Sequence, residues 1–137
     1  MNIRQAPDKG TCCEPKAMKS DDADPVRRWL EVRDFYSEFA AKPGWEFLSP
    51  MIGLAEWVAH QPMASRLYPM TSHEWLTVSF SPGYDPERPF VVALSRSDAR
   101  FSCELFGGVA EPLDVDTCPL EKANELFAKY IDRLELV

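Results

Sequence analysis

The spacing of apolar residues changes period twice along the chain. Val26, Trp29, Leu30, Val32, Tyr36, Phe39 and Ala40 recur three and four residues apart, the period of an amphipathic helix. Asp24 offers an N-cap oxygen, and Pro25 brings a preset φ to the first helical position. Lys42 suits the negative end of the dipole, and Pro43-Gly44 stops the run. Ser49-Pro50 repeats the cap-then-proline device. Met51, Ile52, Leu54, Ala55, Trp57 and Val58 follow, and Pro62 closes a second helix over about residues 50–60. Gly53 weakens that helix by about 1 kcal/mol relative to alanine.

The period then becomes two. From Glu74, Leu76, Val78 and Phe80 alternate with Trp75, Thr77 and Ser79, which predicts a half-buried strand. Ser81 to Pro89, with three prolines and Gly83, reads as a rigid turn region. Phe90 to Arg96 begins apolar on both faces, as a central strand does. Ser97-Asp98-Ala99 makes a tight connection, after which Phe101, Cys103 and Leu105 alternate with Ser102 and Glu104. Ala64 to Met70 forms a weaker strand that Pro69 assigns to an edge. Gly107-Gly108 suggests a hairpin turn leading to a last strand, Val109 to Leu113.

The period returns to 3.6 at the end. Leu120, Ala123, Phe127, Tyr130, Ile131 and Leu134 form one stripe opposite Lys122, Glu125, Lys129, Asp132 and Arg133. Thr117 or Cys118 is the expected N-cap, with Pro119 in the first turn. Strands grouped between helices indicate an α+β fold. It is an antiparallel meander of three to five strands, packed with two N-terminal helices and one C-terminal amphipathic helix. Residues 24–137 form a single domain, and residues 1–23, polar and without periodicity, form a flexible tail.

Charge narrows the function classes. The net charge is −7, which offers no basic stripe for nucleic acid and repels an anionic membrane. An acidic surface suits solubility and a basic partner. The first 24 residues hold no apolar core of a secretory signal, and no segment is long and apolar enough to span a bilayer. The cytoplasm is the expected compartment, where thiols are reduced. Cys12 and Cys13 are adjacent and lack the two-residue gap of a redox or zinc motif. Cys103 reads as a small buried hydrophobe. Cys118, at the expected helix start, has a local reason for a lowered thiol pKa.

Candidate chemistry is sparse. His73-Glu74 begins like a zincin motif, but the second ligand position is Thr77. On a strand His73 and Glu74 point to opposite faces, whereas His73, Trp75, Thr77 and Ser79 share one. That face is the candidate ligand-binding surface, at His73, Trp75 and Thr77. His60 ends the second helix, where it caps carbonyls. Neither a G-x-S-x-G elbow nor a phosphate loop is present. No catalytic residue, metal site or cofactor is assigned, and enzymatic activity stays an open reading ranked behind binding.

Four acids, Glu104, Glu111, Asp114 and Asp116, fall in a stretch without a base. Tyr84 and Arg88, types enriched at binding hot spots, sit in the proline-rich turn region. These six residues are the candidate partner-binding set. The leading expectation is a small acidic protein-binding module, in an inhibitor, immunity-type or adaptor role. The alternative is a small-molecule-binding protein or enzyme using the polar strand face around His73. A structural subunit of a larger assembly is a third reading.

Overall fold

Helix α1 (Pro25–Ala40) starts where its sequence says it should: the Asp24 carboxylate accepts a hydrogen bond from the Val26 N–H at 3.3 Å. A computed structural model describes residues 24–83, 85, 87–108 and 111–137. Readings that fall on residues 1–23, including Cys12 and Cys13, and on Tyr84 lie outside the described residues. After α1 the chain turns through Gly44, at φ 87°, into a 3-10 turn, Glu46–Leu48. That turn runs directly into α2 (Pro50–Ala59). Ser49 is therefore already helical and makes no side-chain cap, contrary to the expected cap-then-proline device. His60 ends α2 as expected, its Nδ1 3.0 Å from the Glu56 carbonyl oxygen.

Five strands follow: β1 (Tyr68–Ser72), β2 (Trp75–Ser79), β3 (Phe90–Ser95), β4 (Arg100–Phe106) and β5 (Asp114–Pro119). They pair antiparallel in chain order, a meander. A 3-10 turn, Leu120–Lys122, leads into α3 (Ala123–Leu134). The fold is α+β.

One sheet face carries the core. Leu76, Ala93 and Cys103 lie side by side, as do Val78, Val91 and Leu105. α1, α2 and α3 bury this face with Trp29, Tyr36, Leu54, Val58, Phe127 and Ile131. Trp29 meets Phe127 edge-on at 6.2 Å and so joins the first helix to the last.

Three tertiary polar contacts fix the layers. The buried Arg28 guanidinium donates to the carbonyls of Ala64 and Leu67, each at 3.3 Å, tying α1 to the entrance of β1. The Tyr36 hydroxyl donates to the Glu74 carbonyl at 2.9 Å, pinning α1 to the β1–β2 turn. Ser95, fully buried in β3, donates to the Phe47 carbonyl at 2.6 Å.

The last third of the chain departs most from its sequence reading. The final described strand is Asp114–Pro119; of the expected Val109 to Leu113, residues 111–113 precede it outside any strand and Val109 and Ala110 lie outside the described residues, and Thr117 and Cys118 belong to the strand instead of capping a helix. Alternation in β5 turns Val115, Thr117 and Pro119 outward and Asp114, Asp116 and Cys118 toward α3. Arg133 pairs with Asp114 and Asp116, and the Tyr130 hydroxyl donates to Asp116 at 2.7 Å. Cys118, half-buried, sits opposite Phe101. Burial raises its thiol pKa, the reverse of the shift expected at a helix N-terminus. The earliest strand is also displaced, to Tyr68–Ser72, because Pro62–Arg66 forms a 3-10 turn. It is an edge strand, and it contains Pro69.

Candidate partner-binding face

No described helix covers the other side of the sheet. An antiparallel sheet with one wet face normally alternates apolar-in and polar-out. Here the outer positions break that rule. Across the middle of the sheet the register aligns Met70, Thr77, Val92, Glu104 and Val115, one from each strand. One row toward the β1–β2 turn lie Trp75 and Leu94, flanked by Ser72, Ser102 and Thr117. One row the other way lie Tyr68 and Ser79, with Phe90 stacked on Phe106 at 4.8 Å.

Several of these side chains stand well into solvent: Met70 is 37% exposed, Trp75 44% and Val115 49%. Leu113, just before β5, is 63% exposed. The register gathers them into one surface, so they are not scattered single hydrophobes.

Glu104 lies in the middle row with Val92 on one side and Val115 on the other. It is half-buried, and it makes no hydrogen bond or ion pair among the described residues. It is also the only acid among the outward positions of the five strands. The only base there, Arg100, lies at the far end of β4, with its guanidinium on the Thr117 hydroxyl at 3.2 Å.

At the β1 side the face opens into a cavity of about 460 Å³. Arg28, Phe35, Tyr68, Thr77, Arg88 and Phe90 are among its walls. Arg88 is exposed and pairs with Asp85 at 3.4 Å.

The sequence-derived candidates separate on this scaffold. His73 does not lie on a strand. It occupies the β1–β2 turn with φ 55°, and its ring meets Trp75 edge-on at 6.1 Å. Trp75 and Thr77 share the outer face as their spacing implies. Thr77 lines the cavity, whereas His73 and Trp75 are outside it. The four acids do not form one loop. Glu104 is on the outer face, Glu111 lies in the β4–β5 connection, and Asp114 and Asp116 point inward to Arg133. Arg88 is about the cavity and is not joined to those acids.

Sequence reading missed Met70, Val92, Leu94 and Val115 as surface residues. Phe90-Val91-Val92-Ala93-Leu94 did signal two apolar faces, but the described helices cover only one of them.

Burial raises the pKa of Cys103 and of Tyr36, the latter with a further push from the Glu74 charge. Among the described residues no group of three or more histidines, cysteines or acids could hold a metal ion, and no helix is long and apolar enough to cross a membrane. Comparison with protein-family models, curated proteins and solved structures gives no match.

Proposed function

We propose that this chain is a protein-binding module whose partner docks on the outer face of the sheet. One observation carries the reading: the register gathers Met70, Trp75, Val92 and Leu94 on one face, with Val115 across Glu104 from them, and no described helix seals that face. Such a surface is costly to leave in water at about 25 cal/mol per Å², and its usual use is association. An inhibitor, immunity-type or adaptor role would each use it. The cytoplasm is the compartment proposed with this reading, a setting that keeps thiols reduced. Acidic pairing with a basic partner, expected from four acids, falls mainly to Glu104 and Glu111, because Arg133 already engages Asp114 and Asp116.

Photo-crosslinking in the native cell tests the reading. A photoreactive residue at position 75 is expected to trap one discrete protein adduct, and the same residue at Glu56, exposed on α2, is expected to trap none. Equal labelling from both positions, or none from position 75, removes the proposal.

A second reading rests on the cavity. Its volume of about 460 Å³ falls in the range of small-molecule sites, and Thr77, Ser79 and Arg88 supply polar anchors beside Phe90 and Tyr68. A ligand held there would raise the melting temperature in a thermal-shift screen of small metabolites. That shift would shrink in Thr77→Val and in Arg88→Ala. A screen without any shift dependent on these two positions leaves the cavity without a ligand role.

A further inference from the structure

Resting on the partner-binding reading, we infer that the occupant of the outer face is an amphipathic helix of a partner protein that presents an arginine or lysine to Glu104 from its apolar side, about one strand from the end that lies over β5. The placement of Glu104 carries this. A docked partner strips water from the centre of a face before it strips the rim. Glu104 lies in the central row, between Val92 and Val115. Covering a carboxylate with apolar atoms alone leaves an unpaired buried charge, costly enough to oppose binding. A cation in the same position converts that penalty into specificity, and a guanidinium fits a carboxylate with two parallel hydrogen bonds.

The same residue excludes other occupants. A second copy docked about a two-fold axis near Glu104 would bring Glu104 toward Glu104, with −7 on each chain. Nucleic acid and anionic lipid would face the same carboxylate and the same net charge. The occupant's backbone must also be satisfied over an apolar surface. The sheet's own hydrogen bonds run within the sheet, so its face offers side chains only. A helix brings its backbone bonds with it. The dimensions agree: five strands at spacings of about 4.8 Å span about 19 Å, the length of a helix of about 13 residues.

The test is a selection, against the full chain, of displayed helical peptides of about 15 residues. Their apolar stripe is fixed as leucine and each position of that stripe is randomised in turn. Arginine or lysine is expected to dominate at one position between the centre and one end of the stripe. Glu104→Gln should then weaken the selected arginine peptide at least tenfold, and Glu104→Arg should shift the preference to glutamate or aspartate. Trp75→Ser should remove binding of all the peptides. Both positions are at the surface, so circular dichroism and melting temperature are expected to stay close to those of the parent.

Peptides lost with Trp75→Ser but indifferent to residue 104 would overturn the inference while leaving the partner reading standing. Binding unaffected by Trp75→Ser would remove both. Concentration-dependent dimerisation of the parent chain in sedimentation, abolished by Trp75→Ser, would assign the face to a second copy and also overturn the inference.

Discussion

Ala99 occupies a backbone position that an alanine seldom takes. It has φ 66° in the connection between β3 and β4. The Ala99 N–H donates to the Arg96 carbonyl, and the Arg96 N–H to the Arg100 carbonyl at 2.7 Å. This pattern matches a three-residue hairpin connection whose last position is left-handed and favours glycine. Alanine there costs about 1 kcal/mol. Ala99→Gly is expected to raise unfolding free energy by up to that amount, read as a higher urea midpoint at unchanged slope. Asp98, in the same turn, has its carboxyl pKa lowered, first by the hydrogen bond from Arg96.

Two buried tyrosines give a pH dependence of opposite sign to the familiar acid effect. Burial raises the Tyr130 hydroxyl pKa, helped by the hydrogen bond to Asp116, and burial also raises that of Tyr36. A folded pKa above the unfolded value means the stabilisation is complete below about pH 10. It is then lost as pH climbs toward the folded value. Each such group contributes a slope of about 1.4 kcal/mol per pH unit in that window. Tyr130→Phe should make the alkaline fall shallower by about that slope, measured by denaturant titrations between about pH 10 and 12. An unchanged slope would mean that Tyr130 ionises as easily in the fold as out of it.

Among the elements, α1 is held to the sheet by a cation. The Arg28 guanidinium lies 4.3 Å from the centre of the Tyr68 ring, and it caps carbonyls at the end of the Pro62–Arg66 turn. Arg28→Ala should cost roughly 2–4 kcal/mol, because two buried acceptors lose their donor together. Chemical denaturation checks this, and a cost below about 0.5 kcal/mol would show that water replaces the guanidinium.

Elements whose signal is local were legible in the sequence. α1 has its period and its cap in one contiguous stretch, and β2, β3 and β4 have clean or doubly apolar alternation. β5 was not legible. Its inward residues are Asp114 and Asp116, which look like solvent-facing acids until α3, folded back over the sheet, supplies Arg133 and Tyr130. The helix start was misjudged for the same reason, since Pro119 ends a strand as readily as it opens a helix. His73 was read one step too far into its strand. A two-residue turn can borrow its residues from what looks like continuous alternation. The candidate face was half visible: Trp75 and Thr77 were identified, but their apolar neighbours come from other strands, and pairing register is not written in any one segment.

For the whole molecule, the two sheet faces have different fates. One is sealed by three helices, and no described helix seals the other, whose middle row holds a single carboxylate. The native protein should therefore enhance the fluorescence of a dye that binds apolar surface, without any loosening of its core. Combining Trp75→Ser with Val92→Thr is expected to abolish that enhancement. Stability should change by less than about 1 kcal/mol, since neither side chain is in the sealed core. Dye titration beside a thermal melt separates this from a loosened core, which would bind more dye and melt earlier.

The meander also sets an order in time. Its strands pair only with their chain neighbours, so each hairpin can close as soon as it leaves the ribosome. The roof does not follow the same schedule. α1 and α2 emerge before the sheet they cover, but the twelve residues of α3 follow β4 and β5. During that interval the core face of the nascent sheet lacks α3. A stall or truncation before Ala123 would release the sheet without α3 over its core face, a species prone to aggregation, so the quality control acting on this protein would concentrate on the interval between β5 and α3.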